Sequence, residues 1–494
     1  MKRLLTCNFV RQHLLFLFIA ILVIKAIFLA IDPYPAFMLG DSASYLTTAL
    51  IRWIPPDRSF VYGFILRKLI INSHSLLPVV WVQAALSALA AWLVGFCLVR
   101  YFKCRFWVAA VCALLCAVEP LQVMFERFIL SDSLAASLFA LFCLTVFSYM
   151  RRENYLVLAT MQFLSTFLVS LRLSFLPFAI LSSFLVPLIS RRAIEFYKSF
   201  RTPQLGATTP RSKLVTPVLV GLIISIGLSQ FFLFRYRVWY GDLIHKAPAY
   251  SYQAGSFLLA VAVPLVHPVD FAMPEVRDEV FKKLKHPLAD PSLRAVHHWM
   301  KGGMNESIKE VIGNDDISNR VMQVTALNAI KRNPLGLVKL SGSTLSQFLK
   351  PRDLRATLLV EEGQDNPAPP DLVALIMHDF AFDLSNRHFD SLTKRWHSWA
   401  IPWYWLLLAS PLIYPVALAV TRQQIGPPHL ICELFALLIV LATIVPVERA
   451  VTRYLITEGW LAFIMIGSLF SCPSKLTTAL PEAEHAASKA QSIK

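Results

Sequence analysis

Long apolar runs constrain this chain more than any other feature of its sequence. A helix that crosses a membrane needs about 20 mostly apolar residues, and with 56% hydrophobic and 16% charged residues the chain cannot cover itself with an ordinary polar surface. The sequence therefore predicts an all-α polytopic membrane protein with about ten transmembrane helices. The runs lie at residues 12–31, 76–99, 104–123, 130–150, 154–171, 173–190, 213–234, 399–420, 428–447 and 455–471.

The placement of Lys and Arg predicts the orientation of these helices. Cytoplasmic loops are enriched in basic residues, and here such residues follow the second, fourth and sixth runs. The first run is too long for a cleaved signal peptide and reads as a retained anchor. We therefore expect cytoplasmic N- and C-termini and a bacterial inner (cell) membrane location. The net charge of +16 is mostly this bias, so nucleic acid is not an expected partner. The loop residues are Arg100, Lys103, Arg105, Arg151, Arg152, Arg191, Arg192, Lys198, Arg201, Arg211 and Lys213.

This topology divides the chain into four parts. Residues 1–234 are predicted to form a transmembrane core, including an amphipathic first external loop at 32–75. The other parts are a mainly helical external domain at 235–398, C-terminal transmembrane helices at 399–472, and a disordered cytoplasmic tail at 473–494.

Two segments of the external domain carry clear patterns. Residues 318–333 place Val321, Val324, Leu327 and Ile330 at helical spacing, which predicts a helix with that apolar face. The segment 257–266 is apolar but too short to cross a membrane, so we expect it to be buried or interfacial.

Ionisable residues gather near the predicted outer ends of the helices. Charges in a membrane are expensive, so they are functional candidates by default. Snorkelling to the interface is the competing explanation, and it is the one we expect for Lys25. A one-sided set of acids and bases indicates a site at the outer surface. Its members are Lys25, Glu119, Glu126, Arg127, Asp132, Arg172, Glu448, Arg449, Arg453 and Glu458.

Asp41 is the leading candidate for catalysis. It stands before the helical run SASYLTTALIRW, where Asp41 or Ser42 would be an N-cap. A carboxylate held in this way suits a general base. A second amphipathic helix, FVYGFILRKLII, follows, so two helices are expected along the outer membrane face. Asp32 is the rival base, but its place beside Pro33 at the exit of the first run is more typical of a helix end.

The first external loop resembles that of the GT-C membrane glycosyltransferases, which include the protein mannosyltransferases and the lipid A aminoarabinose transferase. In that family an acidic motif precedes a helix with a Tyr and then an Ala, as Asp41, Tyr45 and Ala49 do here. Many relatives have two adjacent acids at this point, whereas Ser42 follows Asp41 in this chain.

Three further segments carry the same resemblance. FERFILSDSLAASLF is similar to the segment leading into the family's fourth span, with Asp132 as the matching acid. In LRLSFLPFAI, Arg172 occupies a place often held by a basic residue. In ERAVTRYLITEG, Arg453 and Tyr454 look like the family's Arg/Tyr pair before a late span.

The resemblance implies transfer of a hexose or pentose from a polyprenyl-phosphate donor to a lipid, glycan or protein acceptor. Asp41 would be the general base of an inverting attack, and Asp132 would assist it. Arginines suit the leaving phosphate because a guanidinium can bind two oxygens. No cofactor is expected, and no set of Cys, His or acidic residues indicates a metal site. The substrate-binding candidates are Tyr45, Arg127, Arg172, Arg453 and Tyr454.

Two other classes of protein remain open at this point. A flippase or transporter of lipid-linked sugars would need polar groups at mid-depth, where Gln83 and Gln162 are the main examples. A non-catalytic assembly protein would instead work through its external domain.

Overall fold

The computed structural model describes residues 2–190, 193, 212–361, 370–384 and 391–471. Within these residues the fold is all-α, as predicted, and extended chain is confined to isolated bridges such as that between Ala36 and Phe128. The predicted tail at 473–494 and the basic loop at 194–211 lie outside the described residues.

Helices follow one another through short connections. In the N-terminal half they are α1 Lys2–Ile31, α2 Leu39–Ile51, α3 Val61–Ile70, α4 Leu77–Tyr101, α5 Phe106–Ala117, α6 Pro120–Phe125, α7 Ser131–Arg152, α8 Tyr155–Leu171, α9 Leu176–Leu188 and α10 Ser212–Ile244. Further along they are α11 Ala254–Ala262, α12 Pro274–Lys283, α13 Arg294–Trp299, α14 Met304–Ile312, α15 Asp315–Arg332, α16 Pro334–Leu349, α17 Pro351–Glu361, α18 Pro370–Phe380, α19 Leu392–Trp399, α20 Ile401–Val420, α21 Pro427–Ile444 and α22 Ile456–Ser468.

Six helices among the described residues are long and apolar enough to cross a membrane, which is consistent with a multi-pass membrane protein. The other four predicted runs correspond to the shorter helices α5, α8, α9 and α22. The count of ten spans therefore stays a prediction. The six long segments are Gln12–Ile31, Leu77–Tyr101, Ser131–Arg152, Val215–Ile244, Ile401–Val420 and Pro427–Ile444.

The predicted run at 104–123 is interrupted at Glu119. Helix α5 ends at Ala117, and α6 begins at Pro120, a residue that can start a helix but cannot continue one because it lacks an N–H. The Glu119 carboxylate caps α6 by accepting the Gln122 N–H at 2.7 Å. With 12 residues, α5 is roughly 18 Å long, which is shorter than the hydrocarbon core of about 30 Å.

Helices α2 and α3 of the first loop pack directly on each other. A Cβ added to Gly63 would lie 2.5 Å from the Thr48 side chain, so glycine permits this close approach. The Arg67 guanidinium donates to the carbonyl oxygens of Ala49 at 2.6 Å and Leu50 at 2.9 Å. These bonds satisfy carbonyl groups that the end of α2 leaves without helical partners.

Residues from α11 to α16 build a hydrophobic core of their own. The segment 257–266 is buried in it, as predicted, with Leu259 fully covered. Helix α11 lies against α15 so closely that a Cβ on Gly255 would meet the Asn319 carbonyl oxygen at 1.9 Å.

Helix α15 confirms the helix predicted at 318–333, but its buried face was predicted wrongly. Val324 and Leu327 are 38% and 39% exposed, whereas Met322 and Ala326 are fully buried. The small residues turn inward because α11 comes so close, and the larger apolar side chains lie at the surface.

The later part of the predicted external region packs elsewhere. Phe348, Leu354, Leu358 and Ile376 belong to the same core as the long apolar helices. The Trp405 indole N–H of α20 donates to the Phe348 carbonyl at 2.8 Å. Residues 235–398 therefore contribute to two cores, and α10 also runs past the predicted boundary at 235.

Candidate functional site

The helix that carries Asp41 begins earlier than the sequence indicates. Met38 is the N-cap of α2, and its backbone N–H donates to the Ser42 hydroxyl at 3.0 Å. The predicted N-cap role of Asp41 or Ser42 is therefore wrong. Asp41 lies in the first turn, where the helix dipole favours a negative charge and the side chain is free to meet groups outside the helix.

Two arginines hold the Asp41 carboxylate. Arg453 Nη1 donates to Asp41 Oδ2 at 2.6 Å, and Arg58 Nη1 donates to Oδ1. Arg58 also bonds the neighbouring Asp57. The Asp41 side chain is 26% exposed, and each arginine is 16% exposed. The carboxylate is thus fixed by charge-assisted bonds but still open to solvent on one side.

These contacts control the protonation of Asp41. Burial alone would raise its pKa, but the positive charges of Arg453 and Arg58 outweigh this effect and lower the pKa to about 2. The carboxylate is therefore ionised throughout the physiological pH range.

A second ion pair lies beside the first. Arg172, directly after α8, donates to the Asp132 carboxylate in the first turn of α7. The Arg172 guanidinium lies over the Tyr454 ring at 4.6 Å, and that of Arg453 lies 5.6 Å from the same ring centroid. Tyr454 thus joins the two ion pairs through cation–π contacts.

Four predicted residues therefore meet Asp41, although they are far apart in sequence. They are Asp132, Arg172, Arg453 and Tyr454. We call the whole group the Asp41 cluster; it comprises Asp41, Asp57, Arg58, Asp132, Arg172, Arg453 and Tyr454.

Tyr45, the fifth predicted partner, lies one turn after Asp41 and beneath the cluster. Its hydroxyl is 3.2 Å from the Ser131 Oγ, and its ring packs edge-on against Tyr62 with centroids 4.9 Å apart. Burial raises the pKa of Tyr45. Its visible role is to tie α2 to the start of α7, where Asp132 follows.

Arg127, the remaining substrate-binding candidate, belongs to a separate network. Its Nε donates to the Asp32 carbonyl at 3.0 Å, and its Nη1 donates to the Val123 carbonyl at 2.5 Å. Lys25 forms an ion pair of 2.9 Å with Glu126. We call Lys25, Asp32, Glu126 and Arg127 the Lys25 network. The expectation that Lys25 snorkels to the interface is wrong, because its side chain is 3% exposed and paired.

Other acids predicted near this surface have their own partners. Glu119 accepts the Trp403 indole N–H at 2.8 Å, and Glu458 accepts the Ser410 hydroxyl at 2.5 Å. Glu448 lies 3.6 Å from His298. The single one-sided set expected from the sequence is therefore divided into several local groups.

Arg453 is held from behind by Glu361, a residue that the sequence did not single out. The Glu361 carboxylate accepts the Arg453 backbone N–H at 3.3 Å and the Thr452 hydroxyl. His397 lies 4.0 Å from the same carboxylate. Burial raises the pKa of Glu361 despite these partners. This contact fixes the backbone from which the Arg453 side chain reaches Asp41.

Arg58 is the second functional candidate that the sequence analysis missed. The signal available was weak: Arg58 follows Pro55 and Pro56 in the same external loop as Asp41, next to an acid. Its ion pair with Asp41 depends on the turn between α2 and α3, which spacing alone does not define.

The mid-span polar residues that a transporter would use are bonded inside the protein. Gln83 Nε2 donates to the carbonyls of Glu126 at 3.0 Å and Phe128 at 2.9 Å. Gln162 Nε2 donates to the Ser225 hydroxyl at 2.8 Å. Within the described part of the chain, no group of three or more His, Cys, Asp or Glu residues could hold a metal ion.

No model of a known protein family matches the chain, and no curated protein or solved structure matches it. Its function is therefore argued from the Asp41 cluster itself. That cluster offers three guanidinium groups, one partly exposed carboxylate and an aromatic face in one place, a combination suited to an anionic, ring-containing ligand.

Proposed function

We propose that this chain is an integral membrane glycosyltransferase. It moves a sugar from a polyprenyl-phosphate donor to a lipid, glycan or protein acceptor on the extracytoplasmic face, with inversion at the anomeric carbon. The observation that carries the proposal is the Asp41 carboxylate held between Arg58 and Arg453.

The position of the cluster within the fold supports this proposal. Its members come from the loop after α1, the start of α7, the end of α8 and the residues before α22. In a ten-span topology with a cytoplasmic N-terminus, all four places lie at the outer membrane surface, in a bacterium at the periplasmic side of the inner membrane. A polyprenyl phosphate carries its head group at this level.

The charge balance of the cluster explains how a donor would be received. The guanidinium groups of Arg58, Arg172 and Arg453 are matched by the carboxylates of Asp41, Asp57 and Asp132. A sugar phosphodiester adds one negative charge and competes with Asp41 for Arg58 and Arg453.

This competition also prepares the base. A carboxylate with a pKa of about 2 is a weak base. When the donor phosphate draws the two arginines to itself, the influence that lowers the pKa of Asp41 weakens. Asp41 therefore becomes a better proton acceptor once the donor is bound.

The reaction then follows in one displacement. The acceptor hydroxyl oxygen attacks the anomeric carbon while its proton passes to Asp41. The bond between the anomeric carbon and the phosphate oxygen breaks, and the electron pair leaves with the polyprenyl phosphate. Arg58, Arg172 and Arg453 stabilise the charge that develops on this leaving group.

The direct test uses purified protein in vesicles that contain a polyprenyl-phosphate hexose or pentose and a candidate acceptor. We expect Asp41→Asn to fold normally and to lower turnover roughly 10²- to 10⁴-fold, because the general base is lost. The variant should bind polyprenyl phosphate at least as tightly as the wild type, since a competing carboxylate is gone.

The matched control is Asp32→Asn, the same change at the rival acid, which should retain transfer. Normal turnover in Asp41→Asn would remove Asp41 as the base. Movement of intact donor across the vesicle without release of polyprenyl phosphate would favour a flippase instead.

A further inference from the structure

A cavity of about 500 Å³ lies beside the first external loop, outside the Asp41 cluster. It is bounded by residues 32 and 34–37, by the turn before α7, and by residues 382, 384, 391, 393 and 394 near the start of α19. No member of the Asp41 cluster lines it. This volume falls within the range of about 300 to 1,000 Å³ that is typical of small-molecule sites.

Arg127 gives this cavity an unsatisfied cationic group. Its side chain is 2% exposed, and Nε and Nη1 already donate to the carbonyls of Asp32 and Val123. Its Nη2 has no hydrogen-bond partner among the described residues. A buried charged donor without a partner is unfavourable by a few kcal/mol. An anionic oxygen placed in the cavity would satisfy it.

The other polar groups of the cavity favour a ligand with a single negative charge. Lys394 adds a second cation to the lining, while Asp32 is the acid present. The Asp32 carboxylate accepts the Thr393 hydroxyl and lies 3.7 Å from Arg127 Nε. Two cations against one carboxylate leave an excess positive charge. Ser391 supplies a further hydroxyl to the lining.

The remaining walls are aromatic. Phe37 and Phe382 face each other with ring centroids 5.7 Å apart, and Phe128 and Tyr34 complete this side of the cavity. Aromatic walls with a few convergent polar groups are typical of sites for compact ring-shaped ligands. An extended lipid chain or an inorganic ion would leave these walls unused.

We propose that this cavity is a binding site for a ring-shaped polyol with one anionic group, a sugar phosphate or a sugar acid. Arg127 and Lys394 bind the anionic group, and the aromatic walls contact the ring. The site is distinct from the Asp41 cluster and does not depend on the transfer reaction.

The test is calorimetric titration of the full-length protein in detergent with four probes: glucose 6-phosphate, glucuronate, glucose and inorganic phosphate. We expect at least one of the two anionic sugars to bind at least tenfold more tightly than glucose or phosphate. The preferred probe distinguishes a phosphate from a carboxylate as the anionic group.

Variants locate the binding. Lys394→Gln should weaken it roughly tenfold or more, because a charge-assisted bond is lost. The exposed Lys339→Gln on α16 is the matched control and should have no effect. Arg58→Gln in the Asp41 cluster should also leave this binding unchanged.

Three results would overturn the proposal: no binding of any probe, equal binding of phosphate and the sugars, or an equal loss in Arg58→Gln and Lys394→Gln. If Lys394→Gln does not fold, Phe382→Leu carries the same test, since it removes one aromatic wall without changing the charge. An unchanged affinity in that variant would equally contradict the site.

Discussion

The Asp41 cluster and the Lys25 network lie at the same end of the helix bundle, yet their charges are used differently. In the cluster, guanidinium and carboxylate groups bond to one another, and Asp41 is 26% exposed. In the network, Lys25 and Glu126 are 3% and 0% exposed, and Arg127 bonds backbone carbonyls. Partly exposed ion pairs can exchange partners with a ligand. Buried ones joined to the backbone stabilise the chain, apart from a group such as Arg127 Nη2 that is left without a partner.

The largest effect on stability is expected from Arg127→Met. This change leaves Asp32 and Glu126 buried with reduced charge compensation, and removing one partner of a buried pair costs about 3 to 5 kcal/mol. Thermal unfolding in detergent should show a much lower midpoint. A midpoint equal to that of the wild type would mean that the Lys25 network does not stabilise the fold.

The same substitution in the other region, Arg453→Met, should act on turnover instead. We expect a loss of roughly 10²- to 10³-fold in kcat, as for the removal of one group that stabilises transition-state charge. The unfolding midpoint should change little, because Arg58 still pairs with Asp41. A destabilisation as large as that of Arg127→Met would erase the distinction between the two regions.

Acid should reveal the ion pairs of Asp41. Its pKa is lowered from 3.8 to about 2, so the folded state favours the charged form. The resulting stabilisation, about 2 kcal/mol, is complete above the unfolded pKa and is lost as the pH falls from about 4 through 2. Unfolding measured against pH should show this loss in the wild type.

The control for this acid titration is Asp41→Asn, which should lack that component. Glu448, whose pKa is also lowered to about 2, contributes equally to both proteins. Identical pH profiles for the two proteins would show that the Asp41 ion pairs add no stability.

The smallest effect is expected from Tyr45→Phe. It removes a single hydrogen bond to Ser131, worth about 1 kcal/mol, and keeps the ring contact with Tyr62. Unfolding should shift slightly, and turnover should fall less than in Arg453→Met. A loss of turnover as large as that of Arg453→Met would instead indicate that Tyr45 contacts the substrate.

Local chemistry explains which parts of the fold could be predicted. Apolar runs of sufficient length defined the six long helices, and Arg172 was correctly expected to separate α8 from α9. The break at Glu119 was missed, although Pro120 signals it, because the apolar run continues on both sides. The buried face of α15 was missed because Gly255, on another helix, decides which side chains fit.

The site was predictable only where its residues carry local signals. Asp41, Asp132, Arg172 and Arg453 each stand at a helix end, and such charges are conspicuous beside apolar runs. Arg58 and Glu361 lie in polar surroundings where one more charge is ordinary. Likewise, the ion pair of Lys25 with Glu126 joins residues 101 positions apart, a distance that no local pattern spans.

The contact between Glu361 and the Arg453 backbone has a consequence for how this site can change over evolution. Glu361 ends α17, which follows directly on α16, and α16 reaches back to the core of the external region. A displacement of that region acts on Arg453 as a lever acts on its load. Substitutions far from the membrane can therefore retune the position of one guanidinium group while every charged residue around Asp41 stays the same.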